Sequence, residues 1–163
     1  MARVAIRVRR GTRRDVGTIV AMIKGLAEYE HLLRQVKITR GHVRRDGFGR
    51  RPYFETLICR AGRRPVGFAL YFFTYSTFLG RPSLYLEDLF VLPEDRGLGA
   101  GKALLRALAK VATARGCGRM EWRVLDWNAT AIRFYKRIGA RLHSEWVLTR
   151  LKGAPLRRLA RSR

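Results

Sequence analysis

Apolar and polar residues alternate from Arg3 to Arg9, with Val4, Ile6 and Val8 on one face, and this two-residue period predicts a strand. Thr12 followed by Asp15 has the form of a capping box built with the shorter acid. Beyond it Val16, Ile19, Val20, Ile23, Leu26 and Ala27 fall at helical spacing and predict an amphipathic helix. A second, short helix is expected after Thr39. Phe54 to Arg60 and Val66 to Tyr75 read as strands joined by a turn at Ala61-Gly62-Arg63-Arg64-Pro65, and Ser83 to Val91 as the next strand. Gly99 to Ala114 predicts a helix ended by Gly116, and Met120 to Leu125 a strand. Asn128 caps a helix running through Arg137 and stopped by Gly139. Trp146 to Leu151 predicts a last strand, and Leu156 to Arg161 a weak helix or frayed end. The order β-α-α-β-β-β-α-β-α-β implies antiparallel pairing where turns are short and parallel pairing where helices intervene. The expected architecture is α/β, a mixed, mostly antiparallel central sheet flanked by helices.

A chain of 163 residues has the length of one domain, 1–163, with 152–163 as a basic tail. No run approaches the roughly eighteen apolar residues of a membrane span, and Met1-Ala2-Arg3-Val4 lacks a signal-peptide core. A cytoplasmic protein without membrane association is the expectation. Cys59 and Cys117 form no metal-ligand pattern and read as buried, inert thiols; His31, His42 and His143 form no catalytic or metal-binding arrangement. Charge alters the picture more. There are 35 basic and 12 acidic residues, a formal net charge of +23. Such a field attracts polyanions: nucleic acid, a phosphorylated cofactor or an anionic membrane. The arginines, however, are spread through every segment and form no motif with interleaved aromatics, so contact with nucleic acid is expected only as non-specific attraction.

Two places carry candidate chemistry. Arg96-Gly97-Leu98-Gly99-Ala100-Gly101-Lys102 lies between the apolar run 84–91 and an amphipathic helix. Glycines let the backbone approach a phosphate closely, and the helix start adds free N–H groups and the positive end of its dipole. The loop is no P-loop, because Ala103 follows Lys102 where Ser or Thr belongs. It is no dinucleotide fingerprint, because Lys102 replaces the third glycine. A tight turn is the plainer alternative. The second place is Glu87-Asp88, which interrupts an apolar strand just before that loop. Adjacent strand residues point to opposite faces, so one carboxylate is expected in a site and the other in a structural pair. Glu87 is a candidate general base for an amine, directly or through water. Further along, Asn128 opens a helix carrying Tyr135. A tyrosine with an ordinary pKa of about 10 holds its proton at neutral pH and can give it to a leaving thiolate; an N-cap and a core tyrosine are the plainer reading.

These segments together resemble the GNAT family of acetyl-CoA-dependent N-acetyltransferases. The resemblance rests on Leu86-Glu87-Asp88-Leu89-Phe90-Val91-Leu92-Pro93-Glu94-Asp95-Arg96-Gly97-Leu98-Gly99-Ala100-Gly101, on Asp126-Trp127-Asn128 and on Phe134-Tyr135-Lys136-Arg137-Ile138-Gly139-Ala140. Within the family the chain is most similar to the spermidine/spermine N1- and thialysine N-epsilon-acetyltransferase group. Leu26-Ala27-Glu28-Tyr29-Glu30, Asp46-Gly47-Phe48-Gly49, Tyr71-Phe72-Phe73-Thr74-Tyr75 and Tyr85-Leu86-Glu87-Asp88 are the markers. The resemblance implies that Leu89, Phe90 and Val91 pair with the pantetheine arm and that Arg96 to Lys102 hold the pyrophosphate. It implies Asn128 near the reactive end of acetyl-CoA, Tyr135 as general acid at the sulfur and Glu87 assisting deprotonation of the amine. Tyr29 and Glu30 would line the amine pocket, across a dimer interface in related homodimers. Glu121, Trp122 and Arg123 fall at substrate-side strand positions.

Two departures bear on the acceptor. The polyamine enzymes of the group carry an acid and a tryptophan where this chain has Ser76 and Phe78. The positive charge should also repel polyamines while attracting CoA. Both favour a thialysine- or lysine-like amine over spermidine, with Glu30 or Glu145 as other candidate acids. Acetylation of a protein N-terminus or lysine, and a basic nucleic-acid-binding protein with a vestigial site, are the rival readings.

Overall fold

A computed structural model describes residues 5–162; Arg3 and Val4 of the expected first strand lie outside them. Contacts gather the chain into two compact units, Met1–Arg123 and Val124–Arg163. The first comprises β1 (Ile6–Arg10), α1 (Val16–Tyr29), α2 (Arg40–Phe48), β2 (Glu55–Ala61), β3 (Arg64–Ser76), β4 (Arg81–Val91), α3 (Ala100–Ala114) and β5 (Arg119–Trp122). The strands form one sheet in the order β1-β2-β3-β4-β5. β1 to β4 pair antiparallel, and β5 joins β4 in parallel after the α3 crossover that parallel neighbours require.

Local chemistry starts the elements where the pattern placed them. The Asp15 carboxylate accepts from Thr12 N–H at 2.7 Å, closing the box ahead of α1. Arg9 from β1 donates to both Asp15 oxygens, at 2.8 and 2.7 Å, and this bond draws the carboxyl down to about 2. Thr39 accepts from His42 N–H at 3.2 Å at the start of α2. The apolar stripe of α1 (Val16, Ile19, Val20 and Met22) packs on Ile58, Phe68, Leu70 and Phe90. The alternate strand positions Leu57, Cys59 and Ala69 are also buried, as are Leu104, Leu105, Leu108 and Ala112 of α3. Helices therefore cover the sheet on both faces, and burial pushes the Cys59 thiol up to about 11, out of reach of thiolate chemistry. Asp95, 2% exposed, accepts from Arg64 at 2.7 and 2.5 Å. That bidentate pair ties the segment after β4 to the β2–β3 hairpin.

The second unit holds α4 (Ala129–Arg137) and α5 (Gly153–Arg161). Asn128 Oδ1 accepts from Ala131 N–H at 3.2 Å, and Gly139 at φ +91° ends α4. The strand expected over Trp146 to Leu151 is not formed. An apolar run becomes a strand only where a neighbour takes its N–H and C=O groups, and no described strand pairs with it. Trp146 and Val147 are instead 77% and 83% exposed. β5 is likewise shorter than expected. It leaves the ladder after Trp122, opposite Leu86, at the point where β4 itself becomes irregular.

Candidate active site

Leu70 of β3 faces Asp88 of β4, while Tyr71 faces Leu86, so Glu87 is an extra residue and β4 bulges there. β5 accompanies β4 only from Ser83 to Leu86. From Glu87 to Val91, β4 has β3 on one side and no described strand on the other. The N–H and C=O groups on that edge lack a described strand partner, which suits an extended ligand, although the Val91 carbonyl accepts from Arg96 Nε at 3.3 Å. Leu89, Phe90 and Val91 occupy this edge. The Phe90 side chain is buried beneath α1, where Gly25 gives it room: a Cβ there would lie 2.8 Å from the Phe90 ring.

At the bulge Glu87 is exposed and Asp88 is the more buried of the two. Both line one cavity of about 530 Å³, with Ile23, Ile38, Leu70, Phe72 and Tyr53 among its walls. Burial pushes the Asp88 carboxyl up to about 7, and the negative charges of Glu87 and Glu30 add to the shift. Burial also raises Glu30. Three carboxylates thus influence one apolar-walled site, and Asp88, assigned no role from the sequence, is the most perturbed. Its adjacency to Glu87 in an apolar run was the available signal.

A folded-state pKa above the unfolded value near 3.8 means that stability is full below about pH 4 and is lost as pH rises through about 7. Asp88→Asn removes that loss. The variant should gain on the wild type, by on the order of 1–3 kcal/mol, between pH 4.5 and 8. Urea midpoints at the two pH values measure this, and parallel pH curves for the two proteins would contradict it.

The glycine loop follows the open edge of β4. Gly97 and Gly99 have φ of +83° and +87°, and a Cβ on either would meet nothing within 4 Å, so the loop is open outward. Leu98 is 55% exposed, whereas Ala100 is buried and seats the start of α3. Gly101 and Lys102 lie in the first turn of α3, whose leading amides have no intrahelical acceptor and which contains no acid. Arg96 donates from Nε to the Val91 carbonyl at 3.3 Å, and its guanidinium lies 4.4 Å from the centre of the Tyr29 ring. Tyr29, expected on the acceptor side, is therefore joined to the cationic end of the loop. Open glycines, free amides and a cation suit a pyrophosphate.

The other expected site residues are distributed as follows. Ser76 is buried, and its Oγ accepts from Leu79 N–H at 3.2 Å, closing the β3–β4 turn. Its hydroxyl serves the turn. Glu121 lies beside Tyr85 in register and pairs with Arg119 at 3.1 Å, and Trp122 lies beside Leu86. Arg123 bonds the Tyr85 hydroxyl through Nε, its guanidinium 5.7 Å from the ring centre. Asn128 and Tyr135 belong to the second unit. Asn128 is the cap of α4, and Tyr135 lies half-buried in its last turn, its ring 5.6 Å from that of Phe134.

A strand with an open edge, running into a glycine turn and a helix start, defines an acyl-carrier site of a known kind. The chain belongs to the acetyltransferase (GNAT) family, whose model matches residues 27–140, and it is an N-acetyltransferase. Thialysine N-epsilon-acetyltransferase of Mus musculus is 41% identical over 165 residues, covering 94% of this chain and 96% of its own. L-ornithine N5-acetyltransferase NATA1 of Arabidopsis thaliana is 47% identical over 91 residues, covering 56% of this chain and 40% of its own. Among solved structures, an integron cassette protein from the mobile metagenome of V. cholerae superposes with a TM-score of 0.80 at 26% identity, covering 96% and 98% of the two chains.

Proposed function

We propose that this protein transfers the acetyl group of acetyl-CoA to a primary amine of a small molecule of the thialysine or lysine type. The observation that carries this reading is the bulged stretch of β4, where Glu87 and Asp88 line one cavity immediately before the open strand edge and the glycine loop. Relatives named for thialysine and ornithine acetylation support the acceptor class.

In this reading the free edge of Leu89, Phe90 and Val91 binds the pantetheine amides, and residues 96–102 bind the pyrophosphate. An ammonium entering the cavity gives a proton to Glu87, directly or through water. The nitrogen lone pair forms the bond to the thioester carbonyl carbon. The carbon–sulfur bond then breaks, the thiolate takes the Tyr135 hydroxyl proton, and the second proton of the former amine nitrogen leaves to solvent, from which Tyr135 is reprotonated. No acetyl group rests on the protein. Asp88, with its carboxyl near 7, changes charge just where the amine must be deprotonated. The same reading takes the enzyme to be a cytoplasmic homodimer. The test is thiol release from acetyl-CoA with thialysine, lysine, ornithine and spermidine in turn. Release with the amino acids above that with spermidine is expected, and no amine-dependent release would refute the reading.

A further inference from the structure

Five arginines gather at one place. A second cavity, of about 730 Å³, is lined by Arg13, Arg44, Arg45, Arg50 and Arg51 against a single carboxylate, Asp46. That carboxylate is already taken, because Arg45 donates to both its oxygens at 2.7 and 2.8 Å. Arg13 donates to the Phe48 carbonyl at 3.2 and 2.9 Å, which holds the start of α1 to the end of α2 without neutralising any charge. Among the described residues Arg44, Arg50 and Arg51 have no acid within ion-pair distance. Guanidinium groups crowded together repel one another, and planar forks of this kind match carboxylate and phosphate oxygens. Tyr53 lines this cavity and also the one holding Glu87 and Asp88. Its N–H donates to the Asp46 carbonyl at 2.6 Å, which fixes the segment between the two. The cavity holding Glu87 and Asp88, which Lys37 also lines, and the arginine-lined cavity therefore meet at one residue.

We propose that the arginine-lined cavity binds an anionic group, carboxylate or phosphate, carried by the acceptor amine itself. The inference rests on the acetyltransferase reading and deepens it by placing the two charges of such an acceptor, its amine beside Glu87 and Asp88 and its anion beyond Tyr53. A polyamine presents a second cation to the arginines and is disfavoured there.

The test compares ω-aminoalkanoates and aminoalkyl phosphates with unsubstituted n-alkylamines of the same chain length. At the chain length that spans both cavities, kcat/KM for the anionic acceptor should exceed that of its neutral partner by about ten- to hundredfold, the effect of one charge-assisted contact. In the Arg44→Gln/Arg51→Gln double variant this ratio should fall towards one, and Arg44→Lys/Arg51→Lys should recover much of it. Neutral amines preferred at every length, or a ratio unmoved by the double glutamine variant, would overturn the proposal. Inorganic phosphate distinguishes a bound free ion from a group on the acceptor. Competition against the anionic acceptors alone supports the proposal, and phosphate binding with no effect on acceptor choice overturns it. Turnover of no amine at all would refute the acetyltransferase reading instead. Calorimetric titration of the wild type and the double variant with an aminoalkyl phosphate would still decide the cavity: binding weakened by the substitutions supports it, and equal binding or none contradicts it.

Discussion

Tyr135→Phe should lower kcat by about 10²–10⁴-fold, the usual contribution of a general acid, while acetyl-CoA affinity changes little. The substitution removes one hydroxyl and leaves the half-buried ring against Phe134, so α4 and its Asn128 cap should persist. The loss should shrink with an acyl donor whose thiol is more acidic, because a better leaving group has less need of a proton. Steady-state rates with acetyl-CoA and with such a donor check both parts. Full activity in the variant would reduce Tyr135 to a packing residue of the second unit.

Gly99→Val should weaken acetyl-CoA binding by at least about a hundredfold in a protein that still folds. Gly99 is the left-handed N-cap of α3, at φ +87°. A β-branched residue is strained there by about 1–2 kcal/mol, whatever the space around it. The space is in fact open, so the damage is to the loop's backbone and to the amides it presents, not to the core. Gly116 supplies the control. It lies just beyond the other end of α3 at φ +66°, also with open space around it. Gly116→Val should carry a similar strain and bind acetyl-CoA like the wild type. Titration of both variants, with circular dichroism as the check on folding, separates the two effects. Equal loss in both would mean that strain alone is responsible.

What the sequence disclosed follows from the range of the interactions involved. The strand–glycine–helix passage from 84 to 114 was legible because periodicity and turn chemistry act over a few residues. Thr12 with Asp15 and Asn128 before α4 were legible for the same reason. The bulge at Glu87 was not, because an extra residue on β4 exists only relative to the register of β3. That both residues reach one cavity, and with it the perturbation of Asp88, is likewise a property of the fold. Ser76 looked like a pocket position by comparison with an acid in related enzymes. Its short hydroxyl accepts from the nearby Leu79 amide, a bond within the turn that the comparison did not suggest. The segment 146–151 has strand-forming residues but no described partner, and pairing is a tertiary matter. The arginine cavity was hidden in the same way. Arg44, Arg45, Arg50 and Arg51 are close in sequence, but the fold adds Arg13, brings them around one space and places Tyr53 between it and the carboxylates.

The central claim is direct transfer from acetyl-CoA to a small amine. Its most direct measurement is a single-turnover reaction with radiolabelled acetyl-CoA and thialysine, followed by separation of protein, cofactor and amine. Label should pass to the amine in step with the appearance of free CoA thiol, and denatured protein should carry none at any time. Label retained on the protein, or thiol release without a labelled amine, would contradict the account.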